Sequence, residues 1–182
     1  MHVIIAGGGI GGLSAALALL KSGIDVDVYE QAQELREVGA GIQISPNGCR
    51  VLDHLGVFQA LKETSCDPVR KEFRLWNTGT AWPMFTLGGS VIEKYGYPYL
   101  TVYRPDLLSV LENAVKALKP DAIHLKAKAA GLEQDDSGVT LVLENGERAR
   151  GDVLIGADGW RSVIRTELWG ECSPEFSGMV AW

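Results

Sequence analysis

Residues 3–30 read VIIAGGGIGGLSAALALLKSGIDVDVYE, and this stretch constrains the fold more than any other. An apolar run, Val3, Ile4, Ile5 and Ala6, leads directly into Gly7-x-Gly9-x-x-Gly12, then into an apolar segment of helical period and a second short run ending at Glu30. The order is strand, tight turn, helix, strand. Gly7 permits the turn, Gly9 lets the backbone approach a pyrophosphate, and Gly12 lets the helix pack closely on the strand. Amides near Ile10 and Gly11 lack intrahelical acceptors and lie at the positive end of the helix dipole, which suits an anion. Glu30 closes Val26-Asp27-Val28-Tyr29, where a carboxylate accepts from ribose hydroxyls and disfavours a 2′-phosphate. Gln31, beside it, is counted with the same site. The segment implies a diphosphate ester of adenosine, without choosing between flavin and nicotinamide. A glycine turn that merely packs a helix would leave Glu30 and Gly12 unexplained.

The rest of the composition narrows the class. At 182 residues, 46% hydrophobic and 22% charged, the chain suits one domain or one and a part. Its net charge of -6, with no basic run, argues against nucleic acid or an anionic membrane surface as partner. Cys49, Cys66 and Cys172 are far apart with no C-x-x-C spacing, so neither a disulfide framework nor a metal site is expected, and a cytoplasmic setting fits. No basic segment precedes the apolar start, as a signal peptide would require, and no run of about 18 apolar residues suggests a membrane span.

Further along, Leu13, Ala16, Leu17 and Leu20 keep helical spacing until Ser22-Gly23. Residues 34–44 are turn-rich, and Ser45-Pro46-Asn47 opens a helix of about ten residues. A short helix near 57–62 follows. Residues 69–103 read as inserted antiparallel sheet, with extended runs at 72–76, 81–87 and 99–103 separated by Asn77, Gly79, Gly88-Gly89 and Gly96. Arg104-Pro105-Asp106 starts a helix to about residue 118, with Pro105 expected to hold Arg104 extended. Residues 122–150 read as a short strand plus a meander turning at 135–138 and 144–146. A strand at 153–155, a helix near 161–168 and an extended run at 176–182 complete the chain.

The segment DVLIGADGWRSVIR, residues 152–165, again sets a buried strand against a glycine-bearing turn and a helix. Ligands collect at the carboxyl end of such strands. Asp158 there either accepts from a ribityl or ribose hydroxyl or caps the helix. Gly159 offers an amide to phosphate, and Arg165 holds the helix or a neighbouring acid.

Taken together, the glycine motif with Glu30, LREVGAGIQISPN, Tyr103-Arg104-Pro105-Asp106-Leu107-Leu108 and GADGWRSVIR resemble the amino-terminal half of group A flavin-dependent aromatic hydroxylases, salicylate and hydroxybenzoate hydroxylases among them. The resemblance covers essentially the whole chain. It implies an α/β fold of the glutathione-reductase FAD-binding kind, a Rossmann-like three-layer arrangement with a β-meander and an inserted, incomplete antiparallel substrate sheet. Residues 1–68 and 104–170 would form the FAD-binding domain, and 69–103 with 171–182 part of the substrate domain. FAD is the implied cofactor, with NADH or NADPH as transient co-substrate. The implied reaction is hydroxylation of a phenolic or benzoate-type ring with O2 through a C4a-hydroperoxyflavin.

The same resemblance suggests residue roles. Arg104 would contact the FAD pyrophosphate, the alternative being a surface ion pair. Arg36 would be a second flavin-side arginine, or a solvated loop charge beside Glu34 and Glu37. Gly39, Ala40, Gly41 and Gln43 would pass the flavin ring, with Gln43 facing ring or substrate, or else stabilising a turn. Ala129 would line the adenine side, while Asp158 and Gly159 would serve both FAD and the visiting nicotinamide.

The resemblance also has a limit. The family's second flavin motif, a Gly-Asp pair followed by small residues and histidine, is absent. The chain is therefore expected to be a fragment, inactive alone, with a homodimer or a second chain among the possible sources of the missing half. No catalytic base is assigned: His2, His54 and His124 read as structural or exposed. Trp76, Trp82, Tyr95, Tyr97 and Tyr99 either line an aromatic pocket or pack a sheet face. Two rivals remain, an NAD-dependent dehydrogenase and a nucleotide-binding module without turnover. The strand-rich segments 69–103 and 126–150 weigh against the first.

Overall fold

The computed structural model describes residues 1–35 and 40–180. It opens with β1 (His2–Ala6), α1 (Ile10–Lys21), β2 (Asp25–Tyr29), β3 (Gly41–Ile44), α2 (Pro46–His54) and α3 (Phe58–Lys62). The insert carries β4 (Arg70–Arg74), β5 (Ala81–Thr86), α4 (Gly89–Tyr95) and β6 (Leu100–Tyr103). Then come α5 (Arg104–Leu118), β7 (Ile123–His124), β8 (Ala129–Asp135), β9 (Gly138–Leu143), β10 (Arg148–Gly151), β11 (Val153–Gly156) and α6 (Val163–Trp169).

Four strands make a parallel sheet in the order β11-β1-β2-β7. β1 lies inside it and is covered on both faces, which is why its sequence is continuously apolar rather than alternating. Val3 and Ile5 pack with Leu13 and Leu17 of α1 and Leu107 and Leu111 of α5. Ile4 and Ala6 point the other way, into a cluster with Leu141 and Leu143 of β9 and Ile164 of α6. Helices, sheet and meander thus form three layers. The meander itself, β8-β9-β10, is antiparallel. Its turns use local carboxylate and amide caps, with Asp135 accepting from the Ser137 amide at 2.8 Å and Asn145 from the Glu147 amide at 2.9 Å.

The two long helices run the same way. Lys119, at the carboxyl end of α5, donates to Asp25 at 2.8 Å and Asp27 at 2.9 Å, on the strand that begins just after α1 ends. The amino ends of α1 and α5 therefore both lie toward the carboxyl end of the parallel strands. That end is where the glycine loop, Glu30 and the turn after β11 are found.

Three expectations are corrected. The insert is not strand throughout, because Gly88 and Gly96, read as turn separators, bracket α4; Gly96 ends it in the left-handed region with φ 77°. The extended run expected at 176–182 is not a strand over 176–180, where the chain is irregular and exposed; an extended segment with no adjacent strand has no ladder to hold it. Helix α5 starts at Arg104, and the extended cap residue is Tyr103 (φ -75°, ψ 125°), one position earlier than Pro105 alone suggests. In addition, β6 pairs with β3 in register Gly41–Tyr103 and Gln43–Thr101. Leu100 and Val102 are consequently buried in the core beneath α1 and α5.

Candidate functional site

Within the loop between β1 and α1, the glycines fall into two groups. A Cβ at Gly7, whose φ is +107°, would lie 2.3 Å from the carbonyl oxygen of Ala157, and one at Gly12 would lie 1.9 Å from the carbonyl oxygen of Gly7. These two are glycine because the fold requires it. Gly9 differs: it has φ -72° and ψ -176°, open to any residue, and a Cβ there would meet nothing within 4 Å. Gly11 likewise faces open space. Neither packing nor backbone strain requires glycine at this position. It is the cap residue of α1, with no side-chain cap, and the first intrahelical bond runs from the Leu13 amide to its carbonyl at 2.9 Å. By helix geometry the amides of Ile10, Gly11 and Gly12 have no acceptor within the helix.

The contact of Gly7 with Ala157 joins two motifs that are distant in sequence. The Ala157 amide donates to Ala6 at 2.7 Å, extending the β1–β11 pairing into the loop. Asp158 follows at once, and its carboxylate is engaged by the start of α6. It accepts from the Ser162 hydroxyl at 2.5 Å and from the amides of Val163 at 2.7 Å and Ile164 at 3.2 Å. Ser162 in turn accepts from the Arg165 amide at 2.9 Å. Asp158 thus makes the helix-cap contacts. Gly159 has φ +82° with free space around its Cβ position. Arg165 does not hold an acid through Nε, which is buried without a hydrogen-bond partner.

Glu30 turns inward toward the loop. One carboxylate oxygen accepts from the Gly8 amide at 2.6 Å and the other from the Ala32 amide at 2.9 Å, leaving a further lone pair on each for a ribose hydroxyl. Its backbone is also pinned, with its amide donating to His124 at 2.9 Å and its carbonyl accepting from Ala127 at 2.8 Å. Gly8, an unassigned position in the motif, is what admits this arrangement: a Cβ there would lie 2.9 Å from Cβ of Glu30. The signal for it was present in the sequence, since the loop holds five glycines, GGGIGG, where the motif asks for three. Gln31 is exposed just beyond.

On the α5 side, the Arg104 amide donates to the carbonyl of Ala40 at 3.3 Å, placing Ala40 and Gly41 beside the amino end of that helix. Gly41 and Gln43 share the exposed face of β3, while Ile44, on its other face, is buried in the core. A Cβ at Gly41 would make ordinary contacts, the nearest at 3.7 Å, so the fold leaves room there. Tyr99 donates its hydroxyl to Oε1 of Gln43 at 2.5 Å. Ala129 starts β8 beside the meander cluster that includes Tyr29. Arg36 and Gly39 lie outside the described residues.

The other candidates lie apart from this loop. Tyr97 donates to Asp53 at 2.8 Å and packs edge-on against Phe58, while Trp76 and Trp82 stand exposed on the β4–β5 hairpin. Burial, with the Asp67 charge adding to it, pushes the Cys49 thiol up to about 11, so it is no nucleophile at neutral pH. Among the described residues no group of His, Cys, Asp or Glu is arranged to hold a metal ion, and no helix is long and apolar enough to cross a membrane.

Comparison with known proteins agrees with this geometry. The FAD binding domain family matches residues 1–182. The chain is 38% identical to a 3-amino-4-hydroxybenzoate 2-monooxygenase of Streptomyces platensis over 97% of its own length and 44% of the relative's. It is 35% identical to a 6-hydroxynicotinate 3-monooxygenase of Pseudomonas fluorescens, covering 99% of this chain and 46% of that one. Among solved structures, Klebsiella pneumoniae HpxO complexed with FAD and uric acid aligns with a TM-score of 0.76 at 35% identity, over 91% of this chain and 41% of that one. A 2-methyl-3-hydroxypyridine-5-carboxylic acid oxygenase aligns with a TM-score of 0.77 at 33% identity, over 92% and 42%. The chain spans less than half the length of these relatives. With the dinucleotide loop, the inward acid and the meander in place, the chain belongs to the FAD binding domain family, with the fold of the amino-terminal half of flavin-dependent aromatic hydroxylases.

Proposed function

We propose that this chain is the FAD-binding half of an NAD(P)H-dependent monooxygenase that hydroxylates a phenolic or benzoate-type ring. The observation that carries the site is Gly9, an unstrained glycine with open space at the head of α1. The amides of Ile10, Gly11 and Gly12 would hold the pyrophosphate in the field of the helix, with Arg104 adding charge from the head of α5. Glu30 would tether the ribose of the adenylate. Gln31 and Ala129 would flank the adenine. Ala40, Gly41 and Gln43 would run beside the flavin ring, joined by Arg36, and Gly159 would keep the far wall low, with Asp158 holding α6 in place behind it. Bound FAD supplies the redox chemistry, and the protein's share is binding, orientation and exclusion of water. Relatives that act on hydroxybenzoates and hydroxynicotinate support an aromatic substrate class.

The division into an FAD domain of residues 1–68 and 104–170 and a partial substrate domain is retained as part of this proposal, with β6 packed into the FAD side. The coverage of less than half of each relative favours a second reading for the chain taken alone, a module that holds FAD without turnover. Oxygen uptake with NADH, FAD and simple hydroxybenzoates separates the two, and none is expected from this chain alone. For the site, FAD titration followed by flavin fluorescence compares the protein with Gly9→Val. Affinity should fall more than about tenfold, the scale of a lost charge-assisted phosphate contact, while the thermal midpoint of the apoprotein falls only slightly, as expected for a poorer helix cap. Equal affinity in the variant would refute the placement.

A further inference from the structure

We infer that Tyr99 is a positioning residue for the flavin, acting through Gln43. This rests on the proposed placement of the ring beside Ala40, Gly41 and Gln43, and it adds a residue to that site.

A carboxamide is symmetric in shape but not in chemistry, and which end faces a ligand depends on what holds the other. Here the Tyr99 hydroxyl donates to Oε1 of Gln43 at 2.5 Å, which fixes the carbonyl end. The amide NH2 is thereby turned away from Tyr99, presenting two donors and no acceptor. The backbone supports the arrangement from both sides. Gln43 pairs with Thr101 and Gly41 with Tyr103 in the β3–β6 ladder, and Tyr99 immediately precedes the strand that carries these partners. Leu100 and Val102 anchor β6 in the core, so the tyrosine is held on a rigid element. Gly41, two residues from Gln43 on the same face, leaves the space that a planar ring would take.

The juxtaposition selects the chemistry it meets, a hydrogen-bond acceptor at the edge of a planar ring. A carboxamide free to flip would present either end. In the orientation seen here, with Oε1 on the Tyr99 hydroxyl, it offers a donor, so it favours the oxygen or nitrogen acceptors of the flavin and opposes its N–H edge. The tyrosine touches no ligand in this arrangement and contributes only through the orientation it imposes.

The test is the visible absorption spectrum of FAD bound to the protein in the absence of any aromatic substrate, for Tyr99→Phe, Gln43→Glu and the double variant. Gln43→Glu keeps the size and the acceptor for Tyr99 but removes the donor. Tyr99→Phe should bind FAD within about threefold of the unsubstituted protein, consistent with loss of orientation rather than of a contact. Its flavin band should shift in the direction seen for Gln43→Glu, and the double variant should match Gln43→Glu alone. A spectrum for Tyr99→Phe that coincides with the unsubstituted protein overturns the inference, and so does an equal added shift in the Gln43→Glu background. A donor that serves the aromatic substrate instead would give the first of these results. Failure of the unsubstituted protein to bind FAD would instead refute the underlying site, which distinguishes the two.

Discussion

Gly9 and Gly12 belong to one motif but have opposite surroundings. At Gly12 a side chain collides with the protein's own backbone, whereas at Gly9 it would enter space that the protein leaves open. Spacing alone marked both, and the close packing it implied at Gly12 is what the backbone shows. Spacing was weaker for Asp158, where a hydroxyl ligand and a helix cap were both compatible with the sequence. Coordinates show the cap contacts, with three donors from the start of α6 converging on the carboxylate. Asp158→Ala should therefore lower the stability of the apoprotein by about 1–2 kcal/mol, the usual cost of losing a cap, with Asp158→Asn recovering most of it. Denaturant melts without FAD measure this. A carboxylate that served the cofactor alone would leave them unmoved. Gly8 and Tyr99 were harder to read, since each matters through a contact with a residue far away in the chain.

Elements were legible where periodicity was strong and poorly legible where glycine could mean two things. The strand-loop-helix start, α2, α5 and the meander turns emerged from spacing and turn residues. The helix α4 did not, because a glycine that separates strands and one that caps a helix look alike in sequence. The tie between α5 and β2 was likewise hidden, as no local pattern links Lys119 to Asp25. This tie has a pH signature. The Lys119 hydrogen bond, and next the His2 bond, hold the Asp25 carboxyl below its ordinary 3.8. For Lys119, partial burial opposes the charge, but bonds to Asp25 and Asp27 outweigh it and raise the ammonium above 10.5. A carboxylate with a depressed value stabilises the fold above its ordinary value and loses that contribution as pH falls through the depressed one. The raised ammonium does the reverse, stabilising below 10.5 and losing its contribution as pH rises through the raised value. Lys119→Met should thus lower Tm slightly at neutral pH and make the fall in Tm between about pH 5 and about pH 2 shallower. Parallel curves for the two proteins would show that the tie contributes nothing.

At the scale of the molecule, order is uneven. The parallel sheet is shielded on both faces, while the β4–β5 hairpin stands apart with Phe73 opposite Trp82 and all of β5 exposed. A two-stranded ribbon without a covered face is marginal in water. Amide hydrogen exchange should therefore be fastest in residues 70–86 among the strands and slowest in β1 and β2, and equal protection across both would contradict this. The sequence placed an inserted sheet here correctly as strand-rich, but pairing of β6 with β3 rather than within the insert depends on which core the residues Leu100 and Val102 enter. Alternation could not reveal that choice. The meeting of Gly7 with Ala157 carries a consequence for biosynthesis. The glycine loop leaves the ribosome about 150 residues ahead of its own wall, an interval of roughly 10–30 s at common translation rates. Until the later segment emerges and docks, the nascent loop lacks the wall that Ala157 gives it.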